Sequence, residues 1–212
     1  MPAIAALTGD LVGSTSSGAD AVERAMEILD ATAEEIGRWP RGTGAKFTRY
    51  RGDGWQVIVA PPDRALRAAL LLSARLRAAS DVPPTRIAIG LGAAESLGSD
   101  DLSDAHGTAF ESSGRALEQM RRDTRLAIGG TDVTPLHRAI VDLLDERMSR
   151  WTPEQAEATA LALDPAEPTQ ADMAARLGIS SQAMSYRLSG AGTAAIRRAL
   201  HGWETTGEGQ PA

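Results

Sequence analysis

The sequence predicts an α+β domain followed by an all-α domain. Its 212 residues are 42% hydrophobic and 24% charged, which is enough apolar material to bury one or two cores. Up to Ile128 the pattern gives the order strand, helix, strand, strand, helix, strand, helix, strand. That order contains the split βαβ unit of a ferredoxin-like sheet. Beyond Gly129-Gly130 every periodic segment is helical.

The first strand and helix follow from apolar patterning. An apolar run over residues 4–8 reaches Gly9-Asp10 and then a Gly/Ser-rich turn over residues 13–18, which predicts a buried strand that enters a polar turn. Apolar residues spaced by three and four from Val22 onward predict a helix that ends at Trp39-Pro40.

A hairpin is predicted next, because two strand-like segments over residues 46–51 and 55–60 flank Gly52-Asp53-Gly54. The remaining elements of this domain are a helix up to about residue 79, a strand over 85–92, a helix over 107–122 and a strand over 124–128. We expect an antiparallel-leaning sheet with helices on one face.

A change in composition near residues 129–134 predicts a domain boundary. We expect a first domain over residues 1–130, a second over residues 134–204 and a flexible tail over residues 205–212, which is rich in Gly, Thr and Pro. In the second domain, Thr134-Pro135 and Thr152-Pro153 each have the residues that begin a helix.

Several function classes are excluded by what the sequence lacks. It has no cysteine, which excludes disulfides, iron-sulfur clusters and thiol nucleophiles and fits a reducing cytoplasm. Its only lysine, Lys46, is not part of a Gly-Lys-Ser/Thr loop, so Walker-type NTPases are excluded. No apolar run approaches 18 residues and the N-terminus has no signal-peptide pattern, so we expect a cytoplasmic protein without a membrane partner.

Asp10 and Asp53 form the first candidate site. In a ferredoxin-like sheet the first strand lies antiparallel beside the third, so we expect these two carboxylates to converge. Paired carboxylates suit Mg²⁺ or Mn²⁺, which takes phosphate oxygens as further ligands. N–H groups of the turn at the start of the first helix would favour the same anions. Either aspartate alone could instead have only a structural role, Asp53 in a turn and Asp10 at the end of a strand.

Four segments of this region carry a family resemblance: Ala-Leu-Thr-Gly-Asp10-Leu-Val-Gly-Ser-Thr, Tyr-Arg-Gly-Asp53-Gly-Trp, Arg86-Ile-Ala-Ile-Gly-Leu-Gly92 and Gly107-Thr-Ala-Phe-Glu-Ser-Ser-Gly-Arg115. Together they resemble the class III nucleotidyl cyclase catalytic fold, and most closely the SatD family of small cyclase-like proteins, over about residues 3–130. The resemblance implies a ferredoxin-like, class III cyclase-like core with Asp10 and Asp53 as metal ligands. It also implies a site formed between the two subunits of a homodimer.

The same resemblance implies roles for other residues. Arg115 falls at the position of the cyclase arginine that stabilises charge on the triphosphate during cyclisation. Asp104 lies near a position that recognises the base. Arg49 stands about where adenine-selecting enzymes have lysine, and Glu111 stands where cyclases usually have an asparagine that orients the ribose. A carboxylate at that position disfavours turnover more than binding. The predicted nucleotide-binding residues are Gly13, Ser14, Thr15, Arg49, Asp104, Glu111 and Arg115.

Residues 168–188 have the pattern of a helix-turn-helix. Thr169 is placed to cap one helix, Gly178 permits a tight turn, and Ser180 is placed to cap a second helix. No acidic residue lies between Met173 and Trp203. The segment resembles the helix-turn-helix of bacterial regulators, and the alternative is an ordinary helical hairpin. The predicted DNA contacts, to base edges and phosphates, are Thr169, Gln170, Ser180, Ser181, Gln182, Ser185, Tyr186, Arg187, Arg197 and Arg198.

These observations predict a homodimeric, nucleotide-responsive transcription regulator that binds double-stranded DNA. Its ligand is either a nucleoside triphosphate with Mg²⁺ or Mn²⁺, or a cyclic mono- or dinucleotide with no metal. The net charge of −6 does not exclude a local basic face. One alternative is an active class III adenylyl or guanylyl cyclase with a helical appendage. Another is a constitutive DNA-binding protein with a relict dimerisation domain.

Overall fold

The structure is a computed structural model that describes residues 3–40, 45–50, 52–98 and 101–205. Its strands are β1 (Ala3–Leu11), β2 (Phe47–Tyr50), β3 (Gly54–Val59), β4 (Thr85–Ala93) and β5 (Leu126–Gly129). Its helices are α1 (Ser14–Ser17), α2 (Ala19–Gly37), α3 (Ala65–Ala78), α4 (Thr108–Glu118), α5 (Pro135–Ser149), α6 (Pro153–Ala162), α7 (Gln170–Leu177), α8 (Ser181–Ala191) and α9 (Thr193–Thr205). The fold is α+β, as the sequence predicts. Residues 206–212 of the predicted tail lie outside the described residues.

The five strands form one sheet in the order β2-β3-β1-β4-β5. β1 is antiparallel to both β3 and β4, whereas β4 and β5 are parallel. This is the predicted split βαβ arrangement with an extra edge strand, and it confirms that the first strand lies antiparallel beside the third. In this register Asp10 lies opposite Gly54 on one side and opposite Arg86 on the other.

Helices cover both faces of the sheet, so the expectation of helices on one face is wrong. Leu7 of β1 belongs to the large core with α2 and α3, whereas its neighbour Ala6 packs with Ala109 and Phe110 of α4. Successive side chains of a strand point to opposite faces. Because β1 is apolar on both faces, its sequence is a continuous apolar run, and such a run does not show on how many faces helices lie.

Two glycines of β4 allow α4 to approach the sheet closely. A Cβ atom at Gly90 would lie 2.0 Å from the carbonyl oxygen of Ala109, and a Cβ atom at Gly92 would lie 2.6 Å from Thr108 Oγ1. These two glycines therefore mark a close backbone approach between α4 and β4 within the chain.

We expect Gly90→Ala to lower the free energy of unfolding by roughly 1–3 kcal/mol or more, because the added methyl group meets backbone atoms that cannot move away singly. Urea unfolding measures the change. Gly114→Ala on α4 is the control, since a Cβ atom there has no neighbour within 4 Å and alanine favours a helix. Equal unfolding midpoints for the two variants would contradict this account of the packing.

The C-terminal helices pack directly on the sheet domain. Trp151, Ala156 and Leu200 belong to the same core as α3 and β4. Residues 129–134 therefore connect two segments that share one hydrophobic core, and the division into residues 1–130 and 134–204 stays a prediction. Within the described ranges no helix is both long and apolar enough to cross a membrane.

An ion-pair cluster reinforces this packing. Arg67 of α3 donates from Nε and Nη2 to the two carboxylate oxygens of Glu204 on α9, at 2.6 and 3.0 Å. Arg64 donates to the same carboxylate at 2.8 Å. The side chains of Arg67 and Glu204 are both buried, so this cluster fixes the last helix to the sheet domain.

Candidate functional site

The end of β1 and the start of β3 border an open cavity of about 360 Å³. The main-chain N–H of Leu11 donates to the carbonyl oxygen of Asp53 at 3.2 Å and so holds these two chain segments together. The cavity is lined by Asp10, Leu11, Val12, Gly13, Ser14, Thr15, Asp53, Arg86, Arg122 and Arg125. The structure thus brings together the two aspartates and the Gly/Ser turn that the sequence singled out.

Each aspartate has a polar partner in this cavity. Arg86 on β4 donates from Nε to Asp10 Oδ1 at 2.8 Å and from Nη2 to Asp10 Oδ2. The hydrogen bonds to Asp10 raise the pKa of the Arg86 guanidinium above its usual value, and attraction to Asp10 and Asp53 adds to the effect. Ser14 Oγ donates to Asp53 Oδ2 at 2.5 Å. Both carboxylates are therefore held in fixed orientations.

Positive side chains outnumber negative ones around the cavity. Three guanidinium groups, those of Arg86, Arg122 and Arg125, face two carboxylates. Arg125 Nη1 donates to the carbonyl oxygens of Arg122 and Thr124, each at 3.2 Å, and the charge of Arg125 also attracts the Asp145 carboxylate. A concave site with an excess of one sign of charge attracts ligands of the opposite sign. The cavity therefore favours an anion.

Two carboxylates, those of Asp10 and Asp53, are among the residues that line the cavity. Mg²⁺ is commonly held by one or two carboxylates together with waters and the phosphate oxygens of a substrate, and the described residues include no group of three or more His, Asp or Glu side chains that could hold a metal ion. Arg86 also binds both carboxylate oxygens of Asp10. A cation here would have to arrive with a phosphorylated ligand and displace that guanidinium.

The turn after β1 differs from the expectation in one respect. The sequence predicts that the turn leads into the N-terminus of a long helix, but residues Ser14–Ser17 form only one helical turn and α2 begins at Ala19. Gly18, with φ of 81°, interrupts the helix between them. The N–H groups of Ser16 and Ser17 donate to the carbonyl oxygen of Gly13 within this turn, and the expected dipole of a long helix is absent there.

The other predicted nucleotide-binding residues lie away from this cavity. Arg49 borders a neighbouring cavity and binds both carboxylate oxygens of Glu23, at 2.7 and 2.8 Å. Arg115 lines a separate cavity between α4, β5 and α5. Glu111 is exposed in the first turn of α4, and Asp104 is exposed in the preceding loop. One chain by itself does not bring Arg115 to the aspartates.

Four residues near the cavity were not singled out from the sequence. Arg86 could have been found, because the antiparallel register of β1 with β4 places it opposite Asp10. Arg122 and Arg125 lie in a loop without a motif, and only the parallel pairing of β5 beside β4 brings them close. Tyr50 lies near Asp10, and burial raises the pKa of its hydroxyl, with a smaller contribution from the Asp10 carboxylate.

Asp145 of α5 holds the residue that directly precedes β5, Arg125. Its Oδ1 accepts the main-chain N–H of Arg125 at 3.0 Å. Burial raises the pKa of the Asp145 carboxyl, and the N–H groups of Arg125 and Leu126 oppose that shift only in part. The folded state therefore holds this proton more tightly than the unfolded state does.

We expect Asp145→Asn to gain stability relative to the wild type as the pH rises. The stability that the Asp145 proton contributes is fully present below the ordinary aspartate pKa of 3.8 and is lost as the pH rises through the higher pKa of the folded state. Asparagine carries no charge but can still accept the N–H of Arg125. Urea unfolding of both proteins at about pH 3.5 and about pH 6.5 measures the difference. Asp30→Asn, an exposed change on α2, is the control, and a pH-independent difference for Asp145→Asn would contradict the prediction.

The second candidate site is the α7–α8 hairpin. Thr169 Oγ1 accepts the N–H of Asp172 at 3.2 Å, and the Asp172 carboxylate accepts the N–H of Thr169 at 3.2 Å. Gly178 ends α7 in the left-handed conformation with φ of 64°, and Ser180 Oγ accepts the N–H of Ala183 at 3.1 Å. The predicted caps and turn are confirmed.

The outward face of α8 is polar and uncharged. Met184 and Leu188 are buried in a small core with α6 and α7, and Tyr186 is 70% exposed. The predicted contact residues that are exposed are Thr169, Gln170, Ser180, Ser181, Gln182, Ser185, Tyr186 and Arg198.

Two predicted contact residues are engaged within the chain. Arg187 Nη1 donates to Glu157 at 2.8 Å, and Arg197 Nη2 lies 3.0 Å from Glu167. These acidic partners come from α6 and the loop after it, outside the acid-free segment that the sequence emphasised. Either arginine would have to leave its carboxylate to reach a phosphate or a base.

Comparisons with known proteins give similarities only among solved structures. No family model and no curated protein matches the chain. The chain is similar to the guanylyl cyclase Cya2, with a TM-score of 0.40 and 19% identity, over 59% of this chain and 74% of that chain. It is also similar to the active GGEEF domain of a diguanylate cyclase from Vibrio cholerae, with a TM-score of 0.39 and 12% identity, over 63% of this chain and 85% of that chain. Similarities of this size say nothing about the activity of this chain.

Proposed function

We propose that the chain binds a phosphorylated nucleotide in the cavity between Asp10 and Asp53 and that this binding controls DNA binding by α8. The observation that carries the proposal is the excess of guanidinium groups beside two oriented carboxylates. A nucleotide matches both kinds of group, because its phosphates accept hydrogen bonds and its ribose hydroxyls and base amines donate them.

The residues that line the cavity have different roles in this nucleotide binding. Arg122 and Arg125 offer planar donor groups that bind phosphate through paired hydrogen bonds. Asp53, oriented by Ser14, accepts a hydrogen bond from a hydroxyl or an amine. Asp10 holds Arg86 beside the phosphates and reduces the net charge of the cavity. The segments that resemble SatD-type cyclase-like proteins supply most of these residues.

Calorimetry with ATP, GTP, cyclic AMP, cyclic GMP and cyclic diguanylate, each with and without Mg²⁺, tests the nucleotide proposal. We expect at least one nucleotide to bind without metal, because the excess positive charge already favours the phosphate. Binding only in the presence of Mg²⁺ would contradict binding driven by the arginines alone and would favour a metal-bound nucleotide. No heat and no thermal shift with any nucleotide would contradict the proposal.

The DNA-binding part of the proposal rests on the exposed face of α8. Gln182 and Tyr186 project outward from a helix that follows a short turn, the arrangement in which a recognition helix enters the major groove. Arg198 is exposed and available to a phosphate. Arg187 and Arg197 would exchange their intramolecular carboxylates for phosphates, so we expect DNA binding to depend strongly on salt.

Selection from a pool of random duplexes, followed by fluorescence anisotropy, tests DNA binding. We expect Gln182→Ala to weaken binding to a selected duplex by about 1–3 kcal/mol. Arg198→Ala should reduce the salt dependence by about one phosphate contact. Arg38→Ala, which removes the same charge from the exposed end of α2, is the matched control. Selection that enriches no sequence would contradict a role in specific DNA binding.

The proximity of Asp10 and Asp53 also fits a second candidate function, that of an active adenylyl or guanylyl cyclase. Within one chain Arg115 lines a different cavity, so turnover would require Arg115 from a second subunit. Incubation with ATP or GTP and Mn²⁺ decides between the two functions. Formation of a cyclic nucleotide that Asp10→Ala abolishes would establish the enzyme.

A further inference from the structure

Helix α5 carries an apolar stripe on its solvent side. Leu136 is 68% exposed and Leu143 is 72% exposed, the highest value for a large hydrophobic side chain in the described part of the chain. Ala139, between them, is also exposed. Residues separated by three, four or seven positions lie on one face of a helix. The opposite face of α5 is buried in the core through Val141, Leu144 and Met148.

Two opposite charges flank this stripe on one side. Arg138 and Asp142 are exposed, are one helical turn apart and border the same cavity. The midpoint of the Leu136–Leu143 pair lies between residues 139 and 140, and the midpoint of the Arg138–Asp142 pair lies at residue 140. Two copies of α5 that cross antiparallel at this point would therefore place unlike charges together and leucine against leucine.

We propose that α5 is the interface of a homodimer whose two-fold axis passes beside residues 139–140. The face is self-complementary in both apolar contact and charge, which is the condition for an isologous interface. Leu136 then packs against the partner's Leu143, and Arg138 lies against the partner's Asp142. A second copy is favoured over an unrelated partner because the midpoints of the leucine pair and of the charged pair coincide to within half a residue. The inference rests on the surface of α5 alone and does not depend on nucleotide or DNA binding.

The interface is modest in size, since one helix pair buries less than the roughly 1,600 Å² of a standard interface. We therefore expect a dissociation constant of about micromolar size, which sedimentation equilibrium on the full chain measures. Leu143→Asp should raise this constant at least about tenfold. Leu97→Asp is the matched control, because Leu97 is another exposed leucine, 43% exposed, outside α5.

Charge reversal gives the sharper test. Arg138→Glu alone and Asp142→Arg alone each place like charges together in a homodimer, so each should dissociate more readily than the wild type. In an equimolar mixture of the two variants, both pairs between positions 138 and 142 regain opposite charges. The mixture should then form dimers with close to wild-type affinity.

The proposal is overturned if the wild-type chain is monomeric at all concentrations. It is also overturned if Leu143→Asp dimerises like the wild type, or if the mixture of charge variants associates no better than either variant alone. All three changed positions are exposed, and far-UV circular dichroism of each variant checks that the fold is kept.

Discussion

Replacing Arg86 with alanine should lower the affinity for the nucleotide at least about tenfold, or about 1.4 kcal/mol. The change removes one of three guanidinium groups from the cavity and leaves the Asp10 carboxylate beside the phosphate without the partner that holds it. Calorimetry with the nucleotide that the wild type binds measures the loss. Arg24→Ala, which removes a guanidinium paired with Asp81 at 2.7 Å on the surface, should leave the affinity unchanged.

The companion variant Asp10→Asn separates an anion pocket from a metal site. If Asp10 serves mainly to hold Arg86, removing its charge should keep or increase the affinity for nucleotide without metal, because a repulsion with phosphate disappears. If Asp10 were a metal ligand, the same change should remove metal-dependent binding. Loss of metal-free binding in Asp10→Asn, with unchanged binding in Arg86→Ala, would reverse the roles assigned to these two residues.

Replacing Glu204 with alanine should lower the free energy of unfolding by about 3–5 kcal/mol, because it leaves the buried guanidinium of Arg67 without its carboxylate. Arg64 loses the same partner. Urea unfolding measures the loss. Glu146→Ala, which removes an exposed ion pair with Arg150, should change the stability by less than about 1 kcal/mol.

The shape of this unfolding transition reports on the organisation of the chain. If the sheet and the C-terminal helices unfold as one unit, Glu204→Ala should lower a single transition. A separate early transition would show that the helices after residue 134 form an independent folding unit, as the change in composition predicts. A loss below about 1 kcal/mol would contradict the view that the Arg67–Glu204 contact fixes α9 to α3.

The sequence predicts the strand order well where local signals are strong. Asp-Gly between two strand-like segments identifies the β2–β3 hairpin, and an apolar run identifies β1, which extends over nine residues to Leu11. The placement of α4 is harder to predict, because helix periodicity shows which side of a helix is apolar and not which face of the sheet it covers. The close contact at Gly90 is detectable from the sequence only as a glycine within a strand.

The aspartates of the candidate cavity can be predicted from the sequence, but most of its arginines cannot. Asp10 and Asp53 stand at strand ends whose pairing follows from the topology. Arg122 and Arg125 reach the cavity because β5 lies beside β4, a parallel pairing between distant segments that no local pattern encodes. The ion pairs of Arg187 and Arg197 are hidden for the same reason, since their acidic partners come from other elements.

Arg125 contacts both the cavity and helix α5. Its side chain lines the cavity, while its main-chain N–H is held by Asp145 on the same helix that carries Leu136 and Leu143. An anion bound by the Arg125 guanidinium would therefore contact the same residue whose peptide group is hydrogen-bonded to α5. A single residue thus connects the lining of the cavity with this helix.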